Sequence, residues 1–297
     1  MKMKAYIGVD FGGTKILTGA VDGQGNILFE PVRKPTNGSE DKEKILGRVL
    51  DSIREAEFRL NEIDAEIAGI GLGVTGPIDI EHGIILECPQ LPSLHFFPLK
   101  KYIEEQFSLP VFMNNDANCL IYGEAIYGSG KGFDSIVGFT LGTGVGCALI
   151  LNGRIHNGST GSSGEIWPSP YKSGTIEDYV SGAGISKIYK EISGKEKSAL
   201  DISVLAKEGN ELAIRTWDEF GEHLAVAIAW SINIIDPEII ILGGSISESF
   251  ELFSLKMKAY LRNLVCPIPA AKTRVVRAKL GSHAGYIGAA ALAIDKL

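Results

Sequence analysis

Cysteine is scarce in this chain of 297 residues: Cys88, Cys119, Cys147 and Cys266 stand singly at wide spacings. None of the spacings is the short one of a zinc site, so reduced, buried or incidental thiols are expected, with neither a disulfide nor a structural metal. Basic charge is not in excess either. Twenty-nine Lys and Arg against 36 Asp and Glu give a net charge of −7, which disfavours a general nucleic-acid or anionic-membrane surface. No apolar run approaches the roughly 18 residues of a spanning helix, and the opening MKMKAYIGVD lacks the apolar core and cleavage site of a signal peptide. A cytoplasmic address is expected, with no nucleic acid and no membrane as partner. Low-complexity tracts and long linkers are also missing.

What is present suits a globular α/β protein. Hydrophobic residues make up 45% of the chain, enough to fill the core of one large domain or two ordinary ones. Apolar segments at 4–9, 15–21 and 26–32 read as a meander of three strands, with Asp22 and Gly23 marking the second turn. Residues 40–60 have helical spacing through Ile45, Val49, Ile53, Ala56 and Leu60; IAGIGLGV reads as a buried strand, and 99–107 as a shorter helix before the strand PVFM. A helix from Asp116 to about Tyr127 follows. DSIVGFTLG, GVGCALIL and GRIHNG form a second strand set, in which Asn152-Gly153 is a strong hairpin signal. A long amphipathic helix over 210–235, the buried strand EIIILGG and a closing helix AGYIGAAALAIDKL complete the alternation.

The two strand sets repeat one unit: strand, glycine-rich turn, returning strand, tight turn, third strand. Glycines at such turns let backbone N–H groups converge on an anion, because no Cβ blocks close approach or positive φ. One such turn alone is commonplace. Two of them, the first with Asp10 and Thr14 and the second with Thr140 and Thr143, suggest a polyphosphate held between two similar lobes.

DFGGTK at 10–15, GVTGPID at 73–79, NNDAN at 114–118, GFTLGTGVGCALILNG at 138–153, GSSGEI at 161–166, IEDYVSG at 176–182, IILGG at 240–244 and AGYIGAA at 284–290 resemble, in order, the motifs of the ROK family of bacterial sugar kinases and sugar-responsive repressors. The resemblance covers nearly the whole chain. It implies the duplicated two-lobe actin-like ATPase (ribonuclease H-like) fold with a central cleft, a hexose and ATP as ligands, Mg²⁺ as cofactor, and a homodimer. The expected lobes are 1–116 with 285–297, and 117–284.

Phosphoryl transfer to a sugar hydroxyl needs in-line positioning, charge neutralisation and a group to take the hydroxyl proton. By resemblance, the turns Gly12-Gly13-Thr14 and Gly142-Thr143-Gly144, with Lys15, Gly243 and Gly244, bind ATP, and Asp10 holds the hydrated Mg²⁺. Asp10 could equally be a strand-ending turn cap. Asp116 is the expected general base; read without the resemblance, it is a helix N-cap. The sugar is expected to meet Asn115 and Asp116 at its 3-, 4- and 6-hydroxyls, Glu165 and Glu177 at its 1- and 2-positions, and the backbone of Thr75 and Gly76.

Between Gly164 and Gly182 the chain departs from the family. Most members have a histidine where Pro168 stands, followed by a three-cysteine loop, whereas residues 164–182 contain neither Cys nor His. A tetrahedral zinc needs four ligands, so zinc is expected to be absent, and sugar preference does not carry over from zinc-bearing relatives. Trp167 and Tyr171 are expected to pack the shortened loop, with stacking of Trp167 on a sugar as the alternative. GSGKG at 128–132 lacks the first P-loop glycine and the hydroxyl after Lys131, so it reads as a surface loop. His283 reads as a capping or packing residue.

An ATP-dependent hexose kinase making a 6-phosphate is the favoured function, with glucose as default substrate and an N-acetylhexosamine close behind. A repressor would carry a helix-turn-helix segment ahead of the first phosphate turn, for which ten residues leave no room. A non-catalytic sugar sensor would be expected to lose the base or the turns, and Asp10, Asp116 and both turns are present.

Overall fold

The computed structural model describes residues 2–297, which divide into two compact units. Of the described residues, the first comprises 2–131, 155–163 and 282–297, the second 132–154 and 164–281. The expected break after Asp116 lies elsewhere because the helix that Asp116 opens packs on the C-terminal helix of the first unit: a Cβ at Gly123 would stand 2.7 Å from the Ala284 carbonyl and 2.9 Å from the Gly288 amide.

In the first unit, β1 (Lys4–Phe11), β2 (Lys15–Asp22) and β3 (Val32–Pro35) form an antiparallel meander. The strands β4 (Glu66–Val74) and Val111–Asn115 add to the other side of β1 in parallel, giving the order β3-β2-β1-β4 and then Val111–Asn115. The third strand begins later than 26–32. Asp22 uses its carboxylate to bind the amides of Gln24 and Asn26, Gly25 takes the left-handed φ of 82° in place of Gly23, and Pro31 has no N–H for a ladder. Helices α1 (Lys42–Glu62), α2 (Leu99–Phe107) and α3 (Asp116–Tyr127) join the strands, and the helix Ala284–Ile294 closes the chain. That last helix lies directly on the sheet, because Gly8 and Gly71 have no Cβ to strike the carbonyls of Tyr286 and Ala289.

The second unit repeats the plan. Ile136–Leu141 is central; Val145–Leu151 pairs with it antiparallel, Arg154–Ile155 flanks that strand, and Ile239–Gly243 and Arg274–Arg277 extend the other side in parallel. Asn152 and Gly153 both have positive φ, 53° and 70°, as a two-residue hairpin of this hand requires. The helices are α4 (Glu177–Val180), α5 (Gly182–Ser193), α6 (Ala199–Lys207), α7 (Glu211–Ile235) and α8 (Phe250–Leu261). Trp217, Phe220, Leu224 and Ile228 of α7 form the stripe read from the sequence, and Trp217 stacks on Phe253 of α8. Among the described residues no helix is long and apolar enough to cross a membrane.

Candidate active site

In the first unit the turn after β1 is closed from within, because the Gly12 amide donates to the Lys15 carbonyl at 3.0 Å. Thr14 is exposed at the tip of the turn. Neither glycine has positive φ, so of the two expected reasons for their presence that one does not apply. Gly13 is required by crowding, since its Cβ would sit 2.7 Å from that of Gln90, whereas a Cβ at Gly12 would meet nothing nearer than the Lys15 carbonyl at 3.5 Å. Thr36 braces the turn from behind: its hydroxyl donates to the Gly12 carbonyl at 2.6 Å and its amide to the Thr14 carbonyl at 2.9 Å.

Asp10 is the next-to-last residue of β1, partly buried, opposite Gly73 of β4. Gly285, at the start of the C-terminal helix, makes room for it; a Cβ there would stand 2.8 Å from the Asp10 carboxylate carbon. Burial, and then the negative charge of Asp116, push the Asp10 carboxyl up to about 6, against a smaller opposing pull from Lys15.

Asp116 is the first residue of α3, yet the cap is its neighbour. Asn115 Oδ1 accepts from the amides of Ala117 at 2.9 Å and Asn118 at 3.4 Å, while its Nδ2 donates to the Gly76 carbonyl at 3.1 Å. Asp116 itself accepts from the Ala117 amide at 2.8 Å. Gly76 has φ 87° and turns over Cys88, whose thiol donates to the Thr75 carbonyl. Asp10, Thr75, Gly76, Asn115 and Asp116 are thus drawn together at the ends of parallel strands.

Sequence reading missed the support beneath them. Buried Asn114 donates to Asn157 Oδ1 at 3.1 Å, and Asn118 donates to Asn114 Oδ1 at 2.9 Å. Asn157 lies in the stretch 155–163 that the first unit recruits from the middle of the chain. The NNDAN sequence hinted at such a ladder; nothing local marked Asn157.

The turn of the second unit repeats the first. Gly142 donates to the Gly144 carbonyl at 3.0 Å, and Thr143 is exposed at the tip. A Cβ at Gly144 would stand 2.5 Å from Glu177 Oε2, while at Gly142 the nearest atom would be Ser245 Oγ at 3.6 Å. Glu177 Oε2 accepts from the Val145 amide at 2.9 Å, so this expected sugar ligand is also bound to the exit of the turn. Gly243 ends the strand Ile239–Gly243, and Gly244, at φ 81°, packs against the backbone of Leu141.

Glu165 is exposed and accepts from the Trp167 indole N–H at 2.5 Å. The loop beyond it is a small hairpin, Pro170–Tyr171 with Gly174–Thr175. Tyr171 does pack as expected: its ring meets Tyr179, His223 and Trp230 edge-on, and its hydroxyl bonds His223 Nδ1 at 2.9 Å. Trp167 does not, remaining 42% exposed. The GSGKG loop uses its amides locally, Ser129 on the buried Glu124 carboxylate and Gly130 on the Glu124 carbonyl. His283 bonds the Tyr286 hydroxyl at 3.0 Å.

The model of the ROK family matches residues 6–296. The chain belongs to the ROK family. It is 31% identical to a glucokinase of Thermotoga maritima and 30% identical to an N-acetyl-D-glucosamine kinase of Haemophilus influenzae, covering 98% of this chain in each case and 98% and 100% of the relatives. A ROK glucokinase from Streptomyces griseus, solved with glucose and AMPPNP, superposes with a TM-score of 0.84 at 27% identity, over 97% of this chain and 98% of that one. The fold is therefore the α/β actin-like ATPase fold of ROK sugar kinases.

For a ROK chain, the donors suit Mg²⁺. A metal that keeps most of its waters is held by one or two carboxylates rather than a full cage. The raised Asp10 carboxyl, crowded by the charge of Asp116, is a negative pair that a hydrated cation would relieve. Among the described residues no group of three or more His, Cys, Asp or Glu forms a closed metal cage.

Proposed function

We propose that this ATP-dependent sugar kinase transfers the γ-phosphoryl group of ATP to the 6-hydroxyl of a hexose, with Asp116 as general base. The observation that carries the reading is the division of labour at the start of α3. Asn115 caps the helix, so the helix does not depend on Asp116 for its cap, and the Asp116 charge acts beside Asp10.

In the reaction, an Asp116 oxygen accepts the proton of the 6-hydroxyl as the hydroxyl oxygen attacks the γ-phosphorus and the bond to the ADP oxygen breaks. Asn115 and the backbone of Thr75 and Gly76 hold the 3-, 4- and 6-hydroxyl end of the sugar, and Glu165 and Glu177 accept from its 1- and 2-position end. The amides of Gly13 and Thr14, and of Thr143 and Gly144, donate to phosphate oxygens, with Lys15 adding charge and Gly243 and Gly244 lining the nucleotide. Asp10 would hold Mg²⁺ through water; the ion, when bound, neutralises charge on the phosphates. A homodimer is proposed through the family alone.

Purified protein assayed with ATP, Mg²⁺ and a panel of glucose, mannose, fructose, allose and N-acetylated hexosamines should release ADP with at least one sugar, and the product should carry phosphate on C6. Failure of every sugar to raise ADP release above the sugar-free background would overturn the proposal and favour a non-catalytic sensor.

A further inference from the structure

Trp167 stands between the two glutamates assigned to one end of the sugar and is bonded to both. Its indole N–H donates to Glu165 Oε2 at 2.5 Å, and its carbonyl accepts from the Glu177 amide at 3.3 Å. The ring is 42% exposed although its neighbours Ile166 and Tyr171 pack against the core of the second unit. An indole held through its N–H, on a residue whose backbone carbonyl is bonded too, and still open to solvent costs apolar exposure that the fold does not otherwise use.

The backbone beneath it is tied down. Ile166 donates to the Gly164 carbonyl at 2.6 Å, Ser169 to the Ile166 carbonyl at 3.0 Å and Ile176 to the Ser169 carbonyl at 3.0 Å. The hairpin that follows is fastened to α7 through Tyr171 and His223, and Tyr179 takes Lys187 over its ring at 4.6 Å. Trp167 is therefore a fixed feature.

We propose that Trp167 determines specificity at the 2-position of the hexose, favouring a 2-acetamido group over a 2-hydroxyl. The indole N–H already donates to one oxygen of Glu165. The other oxygen is left to accept from a ligand donor, and the exposed ring beside it suits an apolar group. An acetamido substituent offers both, as its N–H and its methyl, whereas a hydroxyl leaves the ring uncovered. Burying a methyl-sized area against the ring is worth about a factor of four in affinity at about 0.8 kcal/mol, and ordering Glu165 adds to it.

This inference rests on the sugar-kinase reading, and the test separates the two. Full-length wild type, Trp167→Phe and Trp167→Ala are compared by kcat and KM with N-acetylglucosamine, N-acetylmannosamine, glucose and mannose. Sugar binding without ATP is followed by calorimetry and by tryptophan fluorescence, and folding by thermal melts. Wild type should prefer an acetamido sugar over its 2-hydroxy counterpart. Trp167→Ala should shrink that preference about fourfold or more, chiefly through KM, while Trp167→Phe keeps part of it and loses the sugar-induced fluorescence change. A wild-type preference for the 2-hydroxy sugars, or an unchanged ratio in Trp167→Ala, overturns the inference and leaves the kinase reading intact. Trp167-dependent binding of acetamido sugars without turnover of any sugar sinks the kinase reading alone; neither binding nor turnover sinks both.

Discussion

Asp10 feels the charge of Asp116: burial first, and then that charge, lift the Asp10 carboxyl to about 6. Two carboxylates held near one another in a folded chain are a cost unless a cation or a reaction uses them.

That cost has a sign. The Asp10 carboxyl is raised from 3.8 to about 6, so its favourable contribution is complete below pH 4 and is lost as pH rises through 6. In EDTA, wild type should therefore lose about 2 kcal/mol of unfolding free energy from this group between pH 4 and 7. Asp10→Asn should lack that loss, being the more stable protein at pH 7 and nearly inactive with Mg²⁺ and ATP. Denaturant titrations of both proteins across this range, paired with turnover, decide it; normal turnover in Asp10→Asn removes Asp10 from the metal role.

His223 titrates in the opposite sense. Burial first, and then Lys172, push it down from 6.5 to about 4, with Lys187 adding to the effect and Glu222 opposing it; Glu219 lies 3.6 Å from Nε2. Its contribution is present above pH 6.5 and lost as pH falls towards 4. Unfolding free energy should drop by about 2 kcal/mol between pH 7 and 5 from this residue, and His223→Gln should flatten that part of the curve. An identical slope in the two proteins would contradict the placement of His223 behind Tyr171.

Gly142 separates fold from ligand approach. A Cβ there meets no atom nearer than 3.6 Å and φ is not positive, so Gly142→Ala should melt within about 2 °C of wild type. If the turn receives phosphate, the same methyl should lower kcat/KM for ATP by about tenfold or more, a loss of about 1.4 kcal/mol of transition-state binding. Steady-state kinetics with varied ATP would expose a turn that ligand never approaches as one whose alanine variant works normally.

Asn157→Ala should leave the buried Asn114 amide without its acceptor, at a stability cost of about 1–3 kcal/mol. Because Asn114 also holds Asn118 beside Asp116, turnover should fall several-fold while KM for ATP moves little. A variant destabilised to this extent with unaltered turnover would show the ladder to be structural only.

The sequence made some of this legible for physical reasons. Helix α3 was bounded correctly because Asn115 is a strong cap and Tyr127 is followed by glycine. The duplicated sheets were visible because each central strand ends at a glycine turn. The glycines' own reason was not: Gly13 and Gly144 answer to Gln90 and Glu177, residues far along the chain that only folding brings near. Asn157 was invisible for the same reason, its bond to Asn114 spanning 43 positions. The early placement of the third strand came from apolar Ile27 and Leu28, which do touch β2 through the Ile27–Val21 bridge and the Leu28 amide on the Ala20 carbonyl, before the ladder lapses and resumes at Val32 beyond Pro31.

The most direct test is Asp116→Asn, compared with wild type for kcat and for sugar binding by calorimetry. The account predicts that kcat falls about a hundredfold or more while the sugar Kd changes by less than about threefold. Turnover within a few-fold of wild type, in a variant that still binds sugar, would contradict it.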